Sequence, residues 1–198
     1  MEIYAINMNE LVEITDEMCD DFINKKGNLN KDIIKDEYDR FSYMSGPTYR
    51  DTLDKYEDVV HDIFLSHTTK DKAIIKKLYY YLEVYCKLKV YVDWIIDPFL
   101  NRSNVTKKSV RLIEIRLRQS KSILLCKTIK YRSSRWIMWE IGYFAGYKNT
   151  NMAQINLGKT STAKLEFLLS CSNAYLEDKR LLIVSDDKKT IDWYHWAK

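Results

Sequence analysis

The chain has 198 residues, 46% apolar and 30% charged, with two prolines and five glycines. That balance excludes low-complexity and collagen-like chains, and no apolar run approaches the roughly 18 residues that a membrane span needs. The net charge of +4 is unevenly placed: residues 1–58 hold 15 acidic and 7 basic side chains, residues 59–198 hold 13 and 25. This divides the chain into an acidic N-terminal extension, 1–58, and a basic domain, 59–198, whose charge suits an anionic ligand such as a phosphate-bearing nucleotide. The first residues lack a basic stretch followed by an apolar one, so no secretory signal is expected. Cys19, Cys86, Cys126 and Cys171 form no C-x-x-C pair, and His61, His67 and His195 have no zinc-ligand spacing. Free thiols, no metal and a cytoplasmic location are the expectation.

In chain order, Leu11, Ile14, Met18 and Phe22 recur at helical spacing and Gly27 ends that helix. A second helix follows Asn30 and carries Ile33, Ile34, Tyr38 and Phe41 before Gly46 and Pro47, and a short third holds Leu53 and Tyr56. The texture changes at residue 59. "VVHDIFLS" reads as a buried strand, followed by a helix with Ile74, Ile75, Leu78, Leu82 and Tyr85 on its apolar side. "KVYVDW" is a second strand and "IIDPFLNRSNV" a loop. Thr106 caps a helix with Val110, Ile113 and Leu117 on one face and Lys107, Lys108, Arg111, Arg116 and Arg118 on the other. "SILLCK" is a third strand, Ser134 caps a helix, and "MAQINLG" is a fourth strand. A helix over about 163–169, the strand "RLLIVS" and an aromatic helix "KTIDWYHWA" close the chain.

Strands alternating with helices predict an α/β fold with a five-stranded parallel sheet, doubly wound and flavodoxin-like, behind an N-terminal helical extension. Ligands of such sheets bind at the carboxyl ends of the strands. The residues there are Ser66, His67 and Thr68, then Asp93 and Trp94, the loop 95–106, and Ser133 with Ser134. A glycine-rich phosphate loop and a nucleophile elbow are both missing.

What remains is "SSRWIMWEIGYFAGY", where Glu140 is the one acid among Trp136, Trp139, Tyr143 and Phe144. Trp136 lies one helical turn before Glu140, and Gly142 and Gly146 offer a smooth stripe for a neighbouring backbone. A lone carboxylate in an aromatic cleft suits cleavage of an N-glycosidic bond. It stabilises an oxocarbenium-like transition state and accepts hydrogen bonds from ribose hydroxyls, while the rings stack on the leaving base. The bland alternative is a buried glutamate paired with Arg135 or another arginine.

"HDIFLSHTTKDKAIIKKLYYYLE", "KVYVDWIIDPFLNRSNVT" and "YRSSRWIMWEIGYFAG" together resemble the bacterial Toll/interleukin-1 receptor (TIR) domains, in order from about His61 to Gly146. The nearest resemblance is to stand-alone TIR proteins of Thoeris-type antiphage systems. It implies an NAD+-cleaving enzyme that takes NAD+ as substrate and needs no other cofactor. Glu140 then falls on the catalytic glutamate of a W-x-x-x-E helix, with Trp136 as its tryptophan. Ser66, His67, Asp93, Trp94, Arg102, Ser133, Ser134, Trp136 and Trp139 are the substrate-binding candidates. Residues 95–106 match the BB loop, which gates the site and joins protomers into a homo-oligomer. A cyclic ADP-ribose-type product would serve a downstream effector as a second messenger.

Three other readings compete. A non-enzymatic TIR module that signals by assembly needs no acid at position 140. Nucleic-acid binding would use the basic face of helix 106–120. A deoxyribosyltransferase-like enzyme shares the scaffold and the glutamate but acts on deoxynucleosides.

Overall fold

The computed structural model describes residues 3–27, 58, 60–100, 106–129, 131–148, 150–158, 171–185 and 187–198. The expected second and third leader helices, and the helix over 163–169, lie outside these residues. Two helices come first, α1 (Ile3–Val12) and α2 (Asp16–Gly27). Strand β1 (His61–Ser66) leads through a tight turn (Thr69–Asp71) into α3 (Lys72–Tyr80), which widens into a π turn over Tyr81–Tyr85. Then come β2 (Val90–Tyr91), α4 (Asp93–Ile96), α5 (Lys107–Arg118), β3 (Ser120–Lys127) and α6 (Arg135–Lys148). The chain closes with β4 (Met152–Asn156), β5 (Ser172–Glu177), β6 (Arg180–Val184), β7 (Thr190–Asp192) and α7 (Trp193–Trp196).

The sheet order is β2-β1-β3-β4-β5-β6-β7. Its first five strands are parallel, in the doubly wound order expected from the alternation. The sheet is larger than expected, however, and its fifth parallel strand is Ser172–Glu177 rather than "RLLIVS". Asp178 and Lys179 both take positive φ, 49° and 60°, which is the backbone of a two-residue hairpin turn. The chain therefore doubles back, and "RLLIVS" lies antiparallel to β5, with Leu176 opposite Leu181. A second reversal makes Thr190–Asp192 a seventh strand, antiparallel to β6. Of the closing aromatic segment only Trp193–Trp196 is helical, started by Asp192, whose carboxylate accepts from the Tyr194 N–H at 2.9 Å. The second predicted strand is also shorter than expected, ending at Tyr91, with Asp93 already opening α4.

Strand side chains alternate between two cores, as the period of two requires. Ile63, Leu65, Leu124, Cys126, Ala153 and Ile155 join α1, α2 and α3 on one face. Phe64, Ile123, Leu125 and Met152 join α5 and α6 on the other. All four cysteines are buried free thiols.

The leader's first predicted helix is in fact two, because the Thr15 hydroxyl accepts from the Met18 N–H at 3.2 Å and starts α2 afresh. Both pieces enter the core, through Leu11 and Cys19, and Ile14 between them does so too. Asn7 is fully buried in α1. Its amide donates to the Asn156 carbonyl and accepts from the Leu176 N–H, each at 2.8 Å, so it stands in for a ladder rung where β4 and β5 part. Asn7→Ala leaves the buried Leu176 N–H without this acceptor and removes the donor to the Asn156 carbonyl, and is expected to cost about 1–3 kcal/mol. Urea unfolding checks this.

Candidate active site

In this strand order the chain changes direction between β1 and β3, so their carboxyl ends border the crevice where doubly wound sheets bind ligands. Ser66 is the last residue of β1, paired in register with Leu125 of β3. By alternation from Phe64 its side chain points towards α6. That helix begins where expected: the Ser134 hydroxyl accepts from the Ile137 N–H at 3.4 Å. Six residues on, Glu140 meets β1, and the Ser66 hydroxyl donates to its Oε2 at 2.6 Å. Both side chains are wholly buried, at 0% exposure. The expected open aromatic cleft around Glu140 is therefore closed, and a substrate reaches this carboxylate only if part of its surroundings moves.

His67 is buried next to Ser66. Its Nδ1 lies 2.8 Å from the Leu65 carbonyl, and the Trp94 indole N–H donates to its Nε2 at 2.9 Å. A carbonyl only accepts and an indole only donates, so the neutral ring carries its proton on Nδ1. The Asp93 carboxylate approaches the same Nε2 at 3.4 Å, and Asp93 is itself buried. Four of the predicted residues, Ser66, His67, Asp93 and Trp94, are thus brought together with Glu140 on one edge of the sheet.

The tryptophans of α6 touch each other but differ in their further neighbours. Trp136 sits one turn before Glu140 and packs partly into the α5–α6 core. Trp139 meets Trp136 edge-on at 5.7 Å, then continues outwards through Tyr143 at 5.5 Å and Tyr147. This row is anchored by Arg118, whose Nε donates to the Tyr143 hydroxyl at 2.9 Å and whose guanidinium lies 4.4 Å from the Tyr147 ring centre. Gly142 and Gly146 do not provide the expected packing stripe: both are exposed, and a Cβ on either would meet nothing within 4 Å. Arg102 and the side chain of Ser133 lie outside the described residues.

Several features were not foreseen. Asp97, two residues past the start of the predicted loop 95–106, is fully buried. Arg116 grips it through two bonds of 3.0 Å and also donates to Gln119, while the Tyr91 hydroxyl adds a bond of 2.8 Å. Arg116 therefore leaves the predicted basic face of α5 for the core, and Arg118 is engaged with α6, which breaks up the surface the nucleic-acid reading required. Asp71 accepts a hydrogen bond from the Thr128 hydroxyl, tying the turn after β1 to the end of β3. Burial, followed by the charges of Asp71 and Glu140, pushes the Cys126 thiol well above its ordinary value, so it is protonated and unsuited to act as a nucleophile. Among the described residues there is no metal-ligand cluster, and no helix is long and apolar enough to cross a membrane.

With five parallel strands in this order, and a buried glutamate facing the end of β1 beside the switch point, the chain has a flavodoxin-like α/β architecture consistent with that of a TIR-type domain. Its sequence is similar to bacterial proteins named as cyclic ADP-ribose synthases. It is 39% identical over 89 residues to the "Probable 3' cyclic ADP-D-ribose synthase ThsB'" of Bacillus cereus (strain MSX-D12), covering 45% of this chain and 46% of that protein. It is 36% identical over 87 residues to the "Putative cyclic ADP-D-ribose synthase TIR2" of Cytobacillus dafuensis, covering 42% of this chain and 22% of that one. The match thus spans less than half of either relative. No protein-family model matches the chain.

Proposed function

We propose that this chain cleaves the nicotinamide–ribose bond of NAD+ and closes the ADP-ribosyl fragment into a cyclic ADP-ribose-type messenger for antiphage defence. The observation that carries this reading is the wholly buried Glu140, held at the end of β1 by Ser66 on the W-x-x-x-E helix. The names of the two relatives support the same chemistry. The bond from ribose C1′ to the pyridinium nitrogen breaks, its electron pair leaves with nicotinamide, and positive charge gathers on the ribose ring. A fixed carboxylate in a site of low dielectric stabilises that charge more in the transition state than in the ground state. Capture of C1′ by an internal nucleophile of the ADP-ribosyl group gives the cyclic product, and capture by water gives ADP-ribose. Trp136, one turn from Glu140, offers an aromatic wall for the leaving base.

A closed carboxylate calls for an opening step. In this reading the segment 95–106 supplies it when copies of the chain assemble, and the product acts on a separate effector in the cytoplasm. Incubation of the purified protein with NAD+ is expected to release nicotinamide, faster when copies are clustered by a multivalent tether, and mass spectrometry then identifies the product. Silence in both states would favour the second reading, an assembly module, which the complete burial of Glu140 also fits.

A further inference from the structure

We infer that Ser66 is a positioning residue for Glu140 rather than a contact for substrate. This inference rests on the NAD+-cleaving role of Glu140 given above. Ser66 has one hydroxyl proton, and it is committed to Glu140 Oε2 at 2.6 Å. Neither side chain has exposed surface. The bond crosses from the end of β1 to the second turn of α6, between residues 74 positions apart. The serine backbone is held in the ladder to Leu125, and its neighbour His67 is fixed by the Leu65 carbonyl and by Trp94. The hydroxyl is therefore presented by a rigid strand end, with little freedom to follow a substrate.

Two consequences follow from that geometry. A hydrogen bond to the charged form of a carboxylate favours ionisation and opposes the effect of burial. It also selects one orientation of the carboxylate, which matters because a small misplacement of a catalytic group is costly. Trp94 becomes part of the same arrangement: through His67 it is tied to the strand end that presents the hydroxyl.

Steady-state nicotinamide release across a pH series tests the assignment. Ser66→Ala is expected to lower kcat roughly 10- to 100-fold, the loss typical for a hydrogen bond to a charged group. KM should stay within about twofold, as for removal of an interaction that acts in the transition state alone. Without the donor the protonated acid is favoured, so the acid limb of the kcat profile should move to higher pH. A rise in KM with kcat preserved, or an acid limb identical to wild type, would overturn the assignment. Ser66→Cys, of similar shape but a weaker donor, should fall between the two and serves if the alanine variant does not fold.

Failure of the NAD+ reading itself is recognised separately, as absence of nicotinamide release from the wild-type protein. In that event a double-mutant cycle of Ser66→Ala and Glu140→Gln, read by urea unfolding, decides whether Ser66 holds Glu140. Non-additive losses support the pairing, and additive losses overturn it.

Discussion

Glu140→Gln is expected to lower nicotinamide release by at least 100-fold and up to roughly 1,000-fold, the range found when one preorganised electrostatic contact to a transition state is removed. Glutamine keeps the shape of the side chain and an oxygen for the Ser66 hydroxyl, so the fold should persist. Stability supplies the control. Glu140 is fully buried, and burying a charge costs more than burying an amide. The glutamine variant is therefore expected to unfold at the same temperature as wild type or a higher one. Lost activity with stability kept would mark a residue retained for chemistry at a structural cost. Unchanged nicotinamide release with lower stability would return Glu140 to an architectural role and sink the catalytic reading.

Arg116→Met carries the largest expected effect on stability. Methionine fills much of the volume of the arginine stem but leaves Asp97 ionised and buried, with the Tyr91 hydroxyl as its remaining partner from the Arg116–Gln119 network. Breaking a buried pair from one side typically costs about 3–5 kcal/mol, because the remaining charge stays uncompensated. For a chain of this size each kcal/mol corresponds to roughly 2–4 °C in Tm, so a fall of about 10 °C is expected by calorimetry. Adding Asp97→Asn should restore part of the loss, since the stranded charge is then removed. If the single variant melts within about 2 °C of wild type, the pair is not the clamp its geometry implies.

The doubly wound core could be read from sequence because its strands are short apolar runs set between amphipathic helices, and that pattern survives without tertiary information. The carboxyl edge that gathers Ser66, His67, Asp93 and Trp94 follows from topology alone, once the strands are ordered. Other features depended on local backbone. Nothing in "LEDKRL" announces a hairpin by glycine or asparagine, yet Asp178 and Lys179 both adopt positive φ, so the expected fifth strand became the sixth. Helical spacing puts Arg116 on the basic face of its helix. Its partner Asp97 lies 19 residues earlier, and pairing at that distance leaves no periodic trace. Helical spacing places Trp136 one turn from Glu140, but it does not show that Trp139 touches Trp136 edge-on and leads outwards to Tyr143. The closure of Glu140 was also hidden, since residue types show which groups can meet but not how tightly they are covered.

The Asn7 wedge bears on how the protein is made. It joins residues 149 and 169 positions apart, Asn156 and Leu176. On the ribosome α1 therefore emerges long before either strand it will bridge, and the apolar Leu11 and Ile14 must wait for their place in the core. Contacts of such long range form late and slowly, and surfaces exposed in the interval favour aggregation. Expression yield should thus depend on chaperone capacity and on slow synthesis through β4 and β5.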